Sequence, residues 1–173
     1  GAPPAALSGT TDAILAVPDD LFSLLSQHAT ATVNGRTYSA AYAAPQRTLT
    51  DTTPAGRTRT TRLDALERVT SAQEGGGLAA TGMAYDARGR LSALTRSSRQ
   101  VLFRYDQRGF LAGTSNRLGQ RLSFAYDSGG RLTAATAEDG RTTGYGYDAN
   151  GNLTTVIPPG RPAHGFSFSP LDQ

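Results

Sequence analysis

Seven residues recur four times in this chain at a nearly constant step. Tyr85-Asp86-Ala87-Arg88-Gly89-Arg90-Leu91 returns as Tyr105-Asp106-Gln107-Arg108-Gly109-Phe110-Leu111. It returns again as Tyr126-Asp127-Ser128-Gly129-Gly130-Arg131-Leu132 and as Tyr147-Asp148-Ala149-Asn150-Gly151-Asn152-Leu153. The tyrosines lie 20, 21 and 21 residues apart. A fixed period of this size commits a chain to a repeat architecture, in which each unit stacks on its neighbours. Degenerate copies extend the array both ways, at Tyr42, Leu63 and Phe168, giving seven copies with the last cut short.

The motif is turn chemistry. An Asp carboxylate can accept backbone N–H groups two residues on, which suits the first position of a type I turn. Gly at the fourth position supplies the left-handed residue that closes a hairpin through a bulge. The residues leading into each turn alternate as in a strand: Val101, Phe103 and Tyr105 share one face, as do Leu122, Phe124 and Tyr126, and Thr143, Tyr145 and Tyr147. A second turn lies half a period away, at Leu118-Gly119-Gln120, Asp139-Gly140-Arg141 and Pro159-Gly160-Arg161, with an earlier version at Ala55-Gly56-Arg57. Each repeat is therefore two short strands and two turns. The chain reads as all-β, an antiparallel meander of hairpins. Tyr85, Tyr105, Tyr126 and Tyr147 are expected to pack as a ladder with the leucines. Asp86, Asp106, Asp127 and Asp148, with Gly89, Gly109, Gly130 and Gly151, are expected to form the turns, with occasional pairing of an Asp to the Arg a few residues on. A ligand-stacking surface is the other role open to the tyrosines.

Tyr-Asp-x-x-Gly-Arg-Leu at this period, with Gly140-Arg141-Thr142-Thr143-Gly144-Tyr145-Gly146-Tyr147-Asp148 leading in, resembles the YD repeat of Rhs proteins, a repeat found also in teneurins and in the shell components of Tc toxins. The resemblance covers about Val33 to Gln173. It implies a β-sheet that spirals into a hollow shell, and in bacterial members a shell that encloses a toxic C-terminal domain. Such shells hold several times more repeats, so the chain reads as part of one. The implied partners are the rest of the shell and a toxin or other cargo. The implied location is outside the cell or at its surface.

Residues 1–29 read as an N-terminal segment and 30–173 as the repeat array. Gly1 to Thr11, rich in Ala, Pro, Ser and Gly, reads as a linker. Ala13 to Val17 is a short apolar run. Pro18-Asp19-Asp20 resembles a helix start with Asp19 as N-cap, and Leu21, Leu24, Leu25 and His28 would share one helical face. A short helix is expected there, with a strand as the alternative. Asn34-Gly35 between alternating segments is a strong hairpin signal, and Gly75-Gly76-Gly77 marks a flexible turn. The prolines near the C-terminus, Pro158, Pro159, Pro162 and Pro170, could blunt a sheet edge, because proline cannot donate to a ladder.

Composition narrows the function. The 173 residues include no Cys and no Lys, which excludes disulfides, cysteine metal sites and Schiff-base chemistry. The two histidines, His28 and His164, are far apart, and neither a nucleophile elbow, a His-Glu-x-x-His pair nor a phosphate loop occurs. Asp148 to Asn152 has some of the residues of a calcium loop but aligns with three sister turns, so it reads as a turn. No enzyme, cofactor or metal is expected. The net charge of +3 invites a nucleic-acid reading, but the arginines are interspersed with aspartates and no basic run exists. No apolar stretch is long enough for a helical membrane span. Two readings follow: a structural shell segment, or a module that binds carbohydrate through periodic Tyr, Asp, Asn and Arg. Self-association through unpaired sheet edges is compatible with both.

Overall fold

The structure, a computed structural model, describes residues 6–168. The described residues form fifteen strands whose order in the sheet is their order in the chain. They are β1 (Leu7–Leu15), β2 (Leu24–Val33), β3 (Arg36–Ala43), β4 (Thr48–Thr52), β5 (Thr58–Leu63), β6 (Val69–Glu74), β7 (Thr81–Tyr85) and β8 (Leu91–Arg96). There follow β9 (Arg99–Tyr105), β10 (Leu111–Asn116), β11 (Arg121–Tyr126), β12 (Leu132–Ala137), β13 (Thr142–Tyr147), β14 (Leu153–Ile157) and the two-residue β15 (His164–Gly165). The strand pairings are antiparallel, so the all-β meander expected from the period is the fold. Two compact units divide the chain: Gly1–Ala84 with Leu94–Ser98, and Tyr85–Ala93 with Arg99–Gln173.

The hairpins follow their turn residues. Val33 pairs with Arg36 across Asn34 and Gly35, at φ +50° and +75°, the two left-handed residues of a type I′ turn. At Asp106, the N–H of Gly109 donates to Asp106 O (3.1 Å) and the N–H of Asp106 donates to Phe110 O (2.8 Å). With Gly109 at φ +96°, this is a type I turn closed by a glycine bulge. The same pair of bonds recurs at Asp86, Asp127 and Asp148. It also builds the half-period turns at Thr53, Asn116 and Ala137. Immediately before each of the Tyr126, Tyr147 and Leu63 positions the register shifts by one residue, a bulge beside the turn.

No hydrophobic residue among those described is buried; of the described residues only Thr61, at 8% exposed, and Gly113 are buried. Within each unit strands touch mainly their neighbours in sequence. Such a sheet is held by nearest-neighbour terms: the ladder bonds and the pairs across it. Small and hydroxylated residues recur along strands such as β4 and β12, and the Thr–Thr pairs Thr10–Thr30, Thr32–Thr37 and Thr136–Thr142 bond through their hydroxyls at 2.9 Å.

The N-terminal stretch departs from the sequence reading in two places. The linker expected over Gly1 to Thr11 contains the start of β1, paired with β2 from Leu7↔Val33 to Leu15↔Leu24. The expected helix is a single 3-10 turn, Leu21–Ser23, capped by Asp20 rather than Asp19: Asp20 Oδ1 accepts from Phe22 N (2.9 Å). Leu24 and Leu25 already lie in β2. A helix would need an apolar layer to pack on, whereas Thr30, Thr32 and Val33 favour the strand and find partners on both sides. Gly75–Gly77 form a turn as expected, with Gly75 N donating to Thr58 O (2.7 Å). Of the seventh copy only Phe168 is described. Pro170 lies outside the described residues.

Candidate functional site

The recurring feature of the second unit is a clasp built from the motif itself. In Asp86, Oδ1 accepts from the backbone N–H groups of Arg88 and Arg90, both at 2.9 Å. Oδ2 accepts from Arg90 Nε (2.8 Å) and lies 2.7 Å from Arg90 Nη2. One carboxylate thus fixes the turn backbone with one oxygen and a guanidinium with the other. Asp127 holds Arg131 likewise (N 2.9 Å, Nε 2.7 Å), and Asp64, in the first unit, holds Arg68 (N 3.0 Å, Nε 2.8 Å). At Asp148 the partner is Asn152, whose Nδ2 donates to Oδ2 at 3.0 Å. The pairing expected as occasional is part of the turn's construction.

The fixed guanidinium reaches the next repeat. Arg90 lies over the ring of Tyr105, 4.3 Å from its centre, and Arg131 lies over Tyr147 at 5.2 Å. Arg131 Nη1 also donates to Asp148 O (3.0 Å). Arg90 Nη1 is buried and makes no hydrogen bond, and the π face of Tyr105 is what the guanidinium meets. The second copy has no arginine at this position. Phe110 takes its place and stacks on Tyr126 (5.1 Å, 27°). Arg108, two residues earlier, lies 4.9 Å over Phe110 and donates through Nη1 to Asp127 O (2.8 Å). The covering group changes chemistry, and the contact between repeats is kept.

Each tyrosine returns a bond. Tyr105 stands across the ladder from Leu111, Tyr126 from Leu132 and Tyr147 from Leu153. The hydroxyl of each donates backward to the leucine carbonyl of the preceding repeat: Tyr105 to Leu91 O (2.8 Å), Tyr126 to Leu111 O (3.0 Å), Tyr147 to Leu132 O (2.9 Å). The turns of successive repeats are therefore tied both ways, forward by a guanidinium or ring and backward by a hydroxyl. The sequence singles out the tyrosines, aspartates and glycines and offers the Asp–Arg pairing within a turn, but not the contacts of Arg90, Arg131, Phe110 and Arg108 with the next repeat. The signal for them is the residue five after each tyrosine, which is Arg, Phe, Arg and Asn.

Gly130 shows how close the repeats come. It has φ +83°, and a Cβ there would lie 2.6 Å from Phe110 Cζ. In the Asp64 copy the glycine position is held by Glu67 at φ +58°.

The carboxylates are held ionised. The Arg68 side chain, then its N–H, hold Asp64 below the usual carboxylate range, and Arg90 does the same for Asp86 in the same order. For Asp127 and Asp139 the backbone N–H of Arg131 and of Arg141 is the largest cause of the lowering. At Asp148 desolvation pushes the value up but is outweighed by the bonds from the Asn152 side chain and nearby N–H groups. These carboxylates are satisfied turn elements, with no lone acid or base among them. No cluster of three or more His, Asp or Glu suited to a metal occurs among the described residues, and none of their helices is long and apolar enough to cross a membrane.

A meander of short hairpins with no buried hydrophobic residue among those described, tied turn to turn by a repeated Tyr-Asp motif, defines a YD-repeat sheet. Residues 19–171 match the teneurin YD-shell family, and the chain belongs to that family. The fold is shared with solved structures at low identity. One is the crystal structure of TcdB2-TccC3-TEV, at TM-score 0.61 and 15% identity over 79% of this chain and 9% of that one. A second is the Photorhabdus luminescens Tc holotoxin pore, at TM-score 0.60 and 15% identity over 78% of this chain and 8% of that one. This chain thus spans under a tenth of the length of the chains it matches. No curated protein matches it in sequence.

Proposed function

We propose that this chain is a wall segment of an Rhs-type shell, and that the shell encloses a toxin or other cargo outside a bacterial cell or at its surface. The observation that carries the reading is the combination of a turn-to-turn tie repeated along the second unit with the absence of any buried hydrophobic residue among those described. A sheet that fully buries no hydrophobic residue among those described suits a surface joined to more of the same. Its polar groups are spent on turns: the aspartates on N–H groups and guanidinia, the tyrosine hydroxyls on carbonyls. These bonds support reading the motif residues as structural. The partners are neighbouring shell repeats and the enclosed cargo.

Electron cryomicroscopy of the assembly that carries this chain tests the proposal. The expected result places residues 30–168 in the wall of a closed β-shell around separate internal density. A segment standing outside any shell contradicts it.

The carbohydrate reading moves away from the motif tyrosines, which are covered and bonded, to an open cleft of about 780 Å³ lined by Gly35, Arg36, Tyr38, Pro54 and Arg57. Tyr38 is 44% exposed and offers a ring to a sugar. Saturable glycan-array binding that Tyr38→Ala abolishes would favour this reading. A blank array removes it.

A further inference from the structure

One turn of the array lacks the carboxylate that its counterparts carry. Thr53 N donates to Arg57 O and Gly56 N to Thr53 O, both at 2.9 Å, with Gly56 at φ +72°. This is the glycine-bulge turn of Asp86 and Asp127, with arginine again four residues after the first turn residue. In those turns one Asp oxygen accepts from the arginine backbone N–H and the other from the guanidinium. Thr53 has a single side-chain oxygen, and that Oγ1 accepts from Arg57 N (3.2 Å). Elsewhere among the described turns of this form, an arginine at that place is met by an Asp: Arg68 by Asp64, Arg90 by Asp86, Arg131 by Asp127 and, in the Ala137 turn, Arg141 by Asp139. The Arg57 guanidinium has no ion pair or hydrogen bond among the described residues.

Arg57 instead lines the open cleft of about 780 Å³ between its own turn and the Asn34-Gly35 turn. Arg36, whose guanidinium is likewise without a partner among the described residues, and Tyr38 line the same cleft, and no acidic residue does. Asp51 and Glu74, the acidic residues of β4 and β6, stand across the ladder from Arg59, with Glu74 3.6 Å from it. The cleft therefore presents two unanswered cations beside an exposed aromatic ring, at a volume within the range of small-molecule sites, roughly 300–1,000 Å³.

We propose that this cleft binds a carboxylated sugar, a hexuronate unit of an acidic glycan. The sugar carboxylate takes the part that the second Asp oxygen plays in the sister turns, paired with Arg57 in the two-bond geometry that guanidinium and carboxylate favour. The pyranose ring lies on Tyr38, and Arg36 meets the acidic group of the neighbouring sugar. A protein carboxylate would satisfy Arg57 equally but bring no ring for Tyr38. The inference deepens the carbohydrate reading of the cleft by naming the sugar's chemistry, and it rests on that reading.

Titration calorimetry with trigalacturonate is the test, with its methyl ester and triglutamate as comparisons. The chain is expected to bind trigalacturonate saturably and the uncharged ester at least about tenfold more weakly, the effect of losing a charge-assisted bond. Arg57→Gln and Tyr38→Ala are each expected to weaken binding by about tenfold or more. Thr53→Asp restores the missing carboxylate, so it is expected to close the clasp on Arg57 and abolish binding, with the melting temperature unchanged or raised. Arg88→Gln, in another turn, is expected to leave binding as it is. An ester bound as tightly as the acid overturns the inference and leaves the carbohydrate reading standing, whereas a chain that binds neither sugar removes both. Triglutamate bound more tightly than the sugar, binding that survives Thr53→Asp or Arg57→Gln, or an equal loss with Arg88→Gln also overturns it. None of these outcomes bears on the shell reading, which rests on the repeat and the family.

Discussion

The guanidinium of Arg131 lies 5.2 Å from the centre of the Tyr147 ring, and the two residues belong to consecutive repeats. Asp127 fixes that guanidinium from its own turn. The contact is therefore the point at which one repeat's turn is transmitted to the next. In a repeat protein, stability is approximately a sum of unit terms and nearest-neighbour terms. Here the neighbour terms can be named atom by atom.

The backward bond is the simplest to remove. Tyr147→Phe deletes the hydroxyl that donates to Leu132 O and keeps the ring under Arg131. A hydrogen bond of this kind contributes about 0.5–1.5 kcal/mol. Urea unfolding is expected to show a loss of that size, and the same for Tyr126→Phe.

Glycines in the same turn position are not equivalent. Gly130 and Gly151 both have positive φ, +83° and +90°, so an L residue at either costs about 1–2 kcal/mol. At Gly151 a Cβ would meet nothing within 4 Å, whereas at Gly130 it would strike the Phe110 ring. Gly130→Ala is expected to lower the melting temperature more than Gly151→Ala. Gly130→Ala in a Phe110→Leu background is expected to narrow the difference.

Glu67 holds the glycine position of the Asp64 turn at φ +58°. Glu67→Gly relieves a strained left-handed residue, partly offset by a freer unfolded chain. The expected outcome is a gain of roughly 0.5–1 kcal/mol in urea unfolding.

The period, the Asp-x-x-Gly turns and the Asn34-Gly35 hairpin were legible because each depends on residues adjacent in sequence. The clasp was not, because its partners come from different repeats. Arg90 meets Tyr105 only when β8 and β9 are laid side by side, and along the sequence it reads as an ordinary surface charge near an Asp. Phe110 hid the pattern further by filling an arginine position with a ring. Over Leu21 to His28 the strand is only the alternative to a helix in sequence, for another reason. Leu21, Leu24, Leu25 and His28 satisfy a helical spacing within eight residues, too few to separate it from strand alternation. The long pairing of β2 with β1 and β3 decides between them.

Acid should loosen the turns. Asp64, Asp86, Asp127, Asp139 and Asp148 all have values lowered in the folded chain. Their contribution is fully present above the ordinary carboxylate value, near 4, and is lost as pH falls through the lowered folded values. The urea midpoint is expected to be flat from neutral pH down to about 5 and to drop below 4. Asp86→Asn with Asp127→Asn keeps the turn acceptors but removes two titrating groups, and is expected to reduce that acid slope.

The most direct test is a double-mutant cycle between Arg131→Gln and Tyr147→Leu, read by equilibrium unfolding. The account predicts that each change destabilises the chain and that the double variant loses less than the two together, with a coupling of about 0.5–1 kcal/mol. Additive losses, or single variants as stable as the parent, would contradict the claim that this clasp carries stability from one repeat to the next.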